Sequence, residues 1–178
     1  LDMVPEKLWM DYEHKVRKNV KRAIREGVRV FYEQGTSHLS DFLEIYYRTM
    51  ERRGAEATYY FKPAFFNALA TKLPNHCVFF YAENNGRIIS CELVLVSHKN
   101  LYSYLGGTRE DTLHLRPNDL LKHEIILWGM RAQKQHFVLG GGYAADDGIY
   151  RYKLSFAPSG VVPFRTGQIV FDEAACMQ

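Results

Sequence analysis

The chain has 178 residues, a length typical of one domain that can bury a core without disulfides or metals. Its 23 Lys and Arg residues barely outnumber its 20 Asp and Glu residues, so a net charge of +3 does not by itself indicate a nucleic-acid-binding protein. The cysteines at 77, 91 and 176 have neither metal-site nor redox spacing, which suits a reducing cytosol. The sequence shows no signal peptide and no apolar run of membrane length.

The first predicted element is a long amphipathic helix at 5–26. Pro5 favours a first helical turn, and Gly27 is a stop signal. The apolar residues that recur at helical spacing are Leu8, Tyr12, Val16, Val20, Ala23 and Ile24. Two interpretations of its basic polar face remain open, since such a face is either simply solvated or a surface that binds phosphates. The basic residues of this face are Lys15, Arg17, Lys18, Lys21, Arg22 and Arg25.

The rest of the chain alternates between helices and strands. In chain order we predict a strand at 28–32, a helix at 41–53 capped by Ser37 or Ser40, a short helix at 63–73, strands at 77–82, 87–96 and 101–105, a helix at 118–133 capped by Asn118 or Asp119, a strand at 137–139, a helix at 149–156, and closing strands within 161–171. Three antiparallel strands that lead into a helix and a further, parallel strand predict an α/β (α+β) fold with a mixed, mostly antiparallel sheet flanked by helices.

Four segments carry a family resemblance: a basic helix that ends in Gly27-Val28, then Pro-Asn-Asp-Leu-Leu at 117–121, Leu-Gly-Gly-Gly at 139–142, and Asp-Gly-Ile-Tyr-Arg-Tyr-Lys at 147–153. In this order they resemble the Fem-type (FemAB-like) aminoacyltransferases, a branch of the GNAT-fold acyltransferases. The resemblance implies a GNAT-like acyl-CoA N-acyltransferase fold. Because Fem-type proteins usually carry two GNAT domains, a single domain over 1–178, with a basic helix at 1–27 and a core at 28–178, is expected to be the C-terminal GNAT domain of a longer protein.

The resemblance also implies a function. Fem-type enzymes form an amide by joining an aminoacyl group to an amine of a peptidoglycan or other cell-envelope precursor, with aminoacyl-tRNA as the donor. We therefore expect a cytoplasmic enzyme, acting at the inner face of the membrane, with no tightly bound cofactor and no metal. Its expected partners are tRNA, the amine acceptor and an N-terminal GNAT domain.

Two alternatives remain open. The first is a CoA-dependent N-acetyltransferase, which normally holds the CoA pyrophosphate on a glycine-rich loop before the helix that follows the meander. Here Gly106 and Gly107 come too early, and Glu110 and Asp111 would repel a pyrophosphate. This departure argues against tight CoA binding. The second alternative is a non-catalytic half-domain that binds tRNA or a partner domain through the basic helix.

Lys153 is the main candidate for a catalytic side chain. The resemblance implies that a lysine after an aromatic residue, here Tyr152, helps to bind the aminoacyl end of the donor. A cation at this position could stabilise the negative charge that develops on the ester carbonyl during aminolysis. The alternative is a surface lysine whose stem covers apolar groups.

Other candidate residues surround this segment. His123 is a possible general base, and Arg151 is either structural or a phosphate contact. Asp146 and Asp147 are helix caps or a pair of catalytic carboxylates. The remaining candidates for substrate binding are Gly140, Gly141, Gly142, Tyr143, Asn118, Arg22 and Arg25.

Overall fold

A five-stranded sheet forms the centre of the computed structural model, which describes residues 1–142, 147–167 and 169–171. The strands are β1 (Arg29–Glu33), β2 (Cys77–Asn84), β3 (Arg87–Val96), β4 (Asn100–Thr108) and β5 (His136–Val138), and they lie in the sheet in this order. The first four strands pair antiparallel, and β4 pairs with β5 in parallel. The antiparallel meander of β2, β3 and β4 and the parallel last strand are as the sequence predicts.

Six α-helices cover the two faces of this sheet in the described residues: α1 (Pro5–Asp11), α2 (His14–Arg25), α3 (Leu39–Arg53), α4 (Pro63–Lys72), α5 (Pro117–Arg131) and α6 (Gly148–Leu154). One core layer joins α2 and α5 to the sheet, through buried side chains such as Val20, Phe80 and Leu121. The other layer joins α3 and α4 to the opposite face, through Phe42, Phe66 and Phe79. Two faces that both bury apolar side chains explain why the central strands are almost continuously apolar.

Strand pairing follows from turn chemistry and from where the apolar runs end. Asn85 and Gly86 adopt φ values of 51° and 75°, the left-handed conformation that a tight turn between β2 and β3 requires. A bulge interrupts the β3–β4 ladder after Leu93. Beyond Tyr102, β4 continues to Thr108 without β5 alongside, so the sheet opens between these two strands. This opening positions the site described below.

The predicted helix at 5–26 is in fact two helices. The backbone is extended at Tyr12 and Glu13, with ψ values of 145° and 148°. The Arg17 guanidinium donates to the carbonyl oxygens of Met10 and Tyr12 and so stabilises the break. The predicted apolar face is confirmed at Tyr12 and Val20, whereas Ile24 is exposed. No Gly or Pro marks this break, which is why helical periodicity alone missed it.

Three other predictions about local structure are wrong. His38, with no side-chain capping bond, precedes α3 in place of a serine cap. Arg116, at φ 60°, precedes α5, because Pro117 already occupies the first helical position ahead of Asn118. The predicted closing strands are absent from the described residues of 161–171. Apolar side chains of that segment, such as Phe164 at 91% exposure, pack against no sheet edge.

Among the residues the structure describes, no helix combines the length and the apolar character needed to cross a bilayer.

Candidate active site

A cleft of about 790 Å³ lies where β4 and β5 diverge. Its described walls come from α2, α3, β3, β4, the first turn of α5, the glycine segment after β5, and α6. Of the residues proposed from sequence, five line this cleft: Asn118, Gly141, Gly142, Tyr152 and Lys153. The topology therefore brings together two sequence motifs that are more than 20 residues apart, one at the start of α5 and one on α6.

Lys153 is held at the glycine segment. Its Nζ donates to the carbonyl oxygen of Gly141 at 2.7 Å, and the side chain is half-buried. Burial lowers the pKa of Lys153 below its usual value, and the nearby Lys122 charge lowers it further, while Glu92 and Asp147 oppose the shift. Gly140, at φ 73°, lies so close that a Cβ there would be 3.5 Å from Nζ. The glycines thus provide an open backbone beside a positioned cation.

Asp147 caps the N-terminus of α6, which confirms the prediction that this residue is a helix cap. Its carboxylate accepts a hydrogen bond from the backbone N–H of Tyr150 at 2.6 Å. A side chain at Gly142 would collide with this carboxylate, so glycine at that position lets the chain pass the cap. The cap fixes the direction of α6 and, through it, the direction of the Lys153 side chain.

Asn118 and Tyr152 connect α5 to α6. The Asn118 Nδ2 donates to the Tyr152 hydroxyl at 2.9 Å, and that hydroxyl donates to the Asn118 carbonyl oxygen at 3.3 Å. Burial raises the pKa of Tyr152 well above its ordinary value, so the phenol stays protonated and keeps its donor. The pair orients the residue immediately before Lys153.

Glu92, Lys122 and Ser103 form the polar floor of the cleft. The Lys122 Nζ lies 2.6 Å from both carboxylate oxygens of Glu92 and 3.0 Å from the Ser103 Oγ. Lys122 and Glu92 are only 4% and 5% exposed, and the Phe137 ring centroid lies 5.2 Å from the ammonium. Sequence reasoning missed this pair. A signal was present at Glu92, a single charged residue within an apolar strand, because a buried charge of this kind is normally paired.

The described lining of the cleft carries six Lys or Arg residues and two acidic residues, Glu92 and Asp119. Glu92 is paired with Lys122, and Asp119 accepts a bond from the Asn19 Nδ2 at 3.2 Å. Burial raises the pKa of Asp119, and hydrogen bonding to Asn19 opposes that shift. The balance of charge therefore favours an anionic ligand. The cations are Lys15, Arg52, Arg53, Arg116, Lys122 and Lys153.

Several predicted site residues lie elsewhere. His123 packs with Trp9 and Tyr12, its Nδ1 is 3.2 Å from the Tyr12 hydroxyl, and burial lowers its pKa to about 4. Arg22 and Arg25 lie on the outer face of α2, where both approach the Glu26 carboxylate. The described cleft lining includes neither these three residues nor Arg151 and Gly140. Tyr143 and Asp146 lie outside the described residues.

In the part of the chain that the structure describes, no three His, Cys, Asp or Glu side chains come together in a way that could hold a metal ion. The buried Cys91 thiol has a pKa raised by burial, which disfavours the reactive thiolate. The described lining of the cleft carries ammonium, guanidinium, carboxylate and hydroxyl groups.

Comparison with known proteins agrees with this geometry. Residues 12–154 match the family model described as an acetyltransferase (GNAT) domain. The UDP-N-acetylmuramoylpentapeptide-lysine N(6)-alanyltransferase of Weissella viridescens is 25% identical over 151 residues, which cover 82% of this chain and 43% of that protein. The chain thus spans less than half the length of this curated relative.

Solved structures share the fold at low identity. The crystal structure of FemX has a TM-score of 0.76 and is 13% identical, over 87% of this chain and 56% of FemX. An aminoglycoside acetyltransferase from an uncultured soil metagenomic sample, solved in complex with sisomicin, has a TM-score of 0.63 and is 13% identical, over 84% of this chain and 99% of its own. The predicted GNAT fold and the resemblance to the Fem-type branch are both confirmed.

Proposed function

The chain belongs to the acetyltransferase (GNAT) domain family, and on that premise we propose that it transfers an aminoacyl group from aminoacyl-tRNA to a primary amine of a peptidoglycan precursor. The observation that carries this proposal is the Lys153 ammonium, anchored 2.7 Å from the Gly141 carbonyl oxygen at the open end of the sheet. The alanyltransferase relative acts on a muramoylpentapeptide lysine, which supports this class of acceptor.

Aminolysis of an ester suits a site with few acid–base groups. The acceptor amine attacks the ester carbonyl carbon, a C–N bond forms, and the carbonyl oxygen becomes an oxyanion. Lys153 is positioned to stabilise that oxyanion. When the intermediate collapses, the C–O bond to the ribose breaks, and the proton lost by the amine is balanced by the proton gained by the ribose oxygen. The products are an amide and a free ribose hydroxyl.

The cleft also favours a donor that carries phosphates. Arg52, Arg53 and Arg116 line it together with Lys15, and cations in such a cleft attract polyanions. The approach to α5 fits CoA poorly, because Gly106 and Gly107 belong to β4 and a 3₁₀ helix, Glu110–Leu115, fills the place of a glycine-rich loop. Asp119 further places a buried carboxylate in the first turn of α5, where a pyrophosphate would bind.

A second GNAT domain completes this proposal. The chain covers 43% of the alanyltransferase and 56% of FemX, which supports a protein with two such units. A tRNA donor requires the reaction to take place in the cytoplasm, and a lipid-linked precursor would bring it to the inner face of the membrane. The donor and acceptor are substrates, so no bound cofactor is needed.

The test is a transfer assay with competing donors. The protein is incubated with a lysine-containing muramoylpentapeptide and either alanyl-tRNA or acetyl-CoA, and the acceptor is analysed by mass spectrometry. We expect addition of one alanyl residue from alanyl-tRNA and no acetylation. Calorimetry with acetyl-CoA provides the second measurement, and micromolar binding with acetyl transfer would contradict the proposal.

A further inference from the structure

The mechanism above leaves the polar floor of the cleft without a role. Glu92 lies in the middle of β3, with the apolar Cys91 and Leu93 on either side, and contacts the Lys122 ammonium of α5. Desolvating two charges largely cancels their attraction, and buried ion pairs can often be replaced by apolar residues without loss of stability. Folding stability is therefore a weak reason for this pair, and its position in the cleft suggests a role in binding.

Not all hydrogen-bonding positions of Glu92, Lys122 and Ser103 are occupied by contacts among these three side chains. Lys122 has three N–H donors, and three acceptors lie within 3.0 Å of its Nζ: both Glu92 oxygens and the Ser103 Oγ. An ionised carboxylate has about four acceptor positions, and Lys122 engages one on each oxygen. The capacity that remains is the further acceptor positions of Glu92 and the O–H of Ser103. The charged part of this capacity, on Glu92, is acceptor-only, and its complement is a ligand group that donates hydrogen bonds.

This carboxylate belongs to the cleft lining. In the β3–β4 ladder Glu92 is directly opposite Gly106, and both residues line the cleft. A Cβ at Gly106 would collide with the carbonyl oxygen of Cys91, so glycine is needed there for the close approach of the two strands. A small ligand group could approach Glu92 from the cleft, because Glu92 itself lines it.

We propose that Glu92 binds the α-amino group of the aminoacyl donor, and that the floor thereby selects aminoacyl over simple acyl groups. This inference rests on the proposed function. An α-amino group titrates near pH 8, so it is available as a neutral amine or an ammonium, and both forms donate hydrogen bonds. An acetyl methyl group would leave the carboxylate unsatisfied, and sites built around a buried polar group reject ligands that lack its partner.

The floor and Lys153 then have separate tasks. Glu92 and Lys153 line the same cleft, and the Glu92 charge reaches Lys153 strongly enough to oppose the lowering of its pKa. The α-amino group of the aminoacyl donor would bind Glu92, while its ester carbonyl oxygen would contact Lys153. Lys122 and Ser103 are positioning residues in this arrangement, because Lys122 contacts the carboxylate and Ser103 accepts a hydrogen bond from the Lys122 ammonium.

Binding of two small amides tests the site without any transfer reaction. L-Alaninamide carries the amino group, and propionamide replaces it with a hydrogen atom. In NMR titrations we expect the protein to bind alaninamide about tenfold more tightly than propionamide, as for the loss of one well-placed hydrogen bond of this kind. Glu92→Gln should bring that ratio close to one, whereas Glu51→Gln, an exposed residue of α3 outside the described cleft lining, should retain it.

A second variant protects the test against misfolding. Glu92→Gln leaves the Lys122 ammonium buried without its counter-ion, so the double variant Glu92→Leu/Lys122→Met, which replaces the pair with apolar residues of similar volume, is measured beside it. Loss of the preference in a folded double variant supports the subsite. A wild-type protein that does not prefer alaninamide, or a folded Glu92 variant that keeps the preference, overturns it.

Transfer from alanyl-tRNA and from its propionyl analogue, which lacks the amino group, separates this inference from the proposed function. We expect kcat/KM to favour the alanyl donor about tenfold in the wild type and to show little preference in Glu92→Gln. If neither donor reacts while binding of alaninamide still depends on Glu92, the proposed function is wrong and the amine subsite stands. If the wild type and Glu92→Gln both transfer alanine with the same preference for the alanyl donor, the subsite is wrong and the proposed function stands.

Discussion

The side-chain amide of Asn118 donates to the Tyr152 hydroxyl at 2.9 Å, and that hydroxyl donates to the backbone carbonyl oxygen of Asn118 at 3.3 Å, across the cleft wall. These two hydrogen bonds join the first turn of α5 to the middle of α6, two elements separated by β5 and the glycine segment. The residue after Tyr152 is the candidate catalytic lysine. A break in this connection should therefore affect both stability and transfer.

We expect Tyr152→Phe to lower the free energy of unfolding by about 1–2 kcal/mol, because it removes a hydroxyl and leaves the Asn118 amide without its partner. Chemical denaturation measures this change, and a transfer assay on the folded variant should show a lower kcat. Tyr32→Phe serves as the control, since that residue of β1 is 53% exposed and should change stability by less than about 0.5 kcal/mol. Equal effects of the two substitutions would refute a connecting role for Tyr152.

Lys153→Ala should reduce the rate of transfer by about 100-fold, the usual effect of removing one donor to a developing oxyanion. The melting temperature should stay nearly unchanged, because the lost bond to Gly141 is offset by relief of a partly buried charge. Lys72→Ala, an exposed residue in the last turn of α4, is the matched control. If Lys153→Ala unfolds the protein, the lysine is structural instead.

His123 should make the protein sensitive to acid. Its pKa is lowered to about 4 in the folded state from an ordinary 6.5, so the unfolded chain binds the proton more tightly. The stabilisation is therefore fully present above about pH 6.5 and is lost as pH falls towards 4, by about 1–3 kcal/mol for a partly buried ring. His123→Phe retains the ring packing against Trp9 and Tyr12 and should flatten this acid limb.

NMR titration of the His123 ring checks the cause directly. We expect a ring pKa near 4 in the wild type and a higher value in a Trp9→Ala variant. Such a rise would show that burial causes the shift, since that substitution exposes one face of the imidazole. A value near 6.5 in the wild type would contradict the assignment.

The outer face of α2 is expected to bind tRNA by charge alone. A shallow groove there is lined by Lys18, Lys21 and Arg25. Substitution of all three by Gln should weaken tRNA binding. It should also reduce the slope of log K against log salt concentration by about two, because fewer counter-ions are released on binding. Filter binding at two salt concentrations measures both effects. Substitution of the exposed Lys62 and Lys72 should leave the salt dependence unchanged. Binding by the wild type that does not vary with salt would exclude this surface.

Much of the fold was predictable because it depends on local patterns. Apolar runs, the Asn85-Gly86 turn and the prolines in the first turns of α4 and α5 predicted the three-strand meander and its neighbouring helices. The break at Tyr12 was not predictable in this way, since it is stabilised by Arg17 contacts and not by a helix-breaking residue. The segment at 161–171 shows the converse error, because closing strands were predicted there and its described residues form none.

The sequence by itself determined the cleft's two motifs: Pro117 and Asn118 at the start of α5, and Lys153 after the glycines. Only the tertiary structure decided which charges meet there. Glu92 and Lys122 are 30 residues apart and become partners because β3 and α5 pack against each other. His123, one residue beyond Lys122, points instead towards Trp9, since neighbouring residues on a helix project about 100° apart. Local chemistry can predict such elements, but the pairing of distant charges depends on packing.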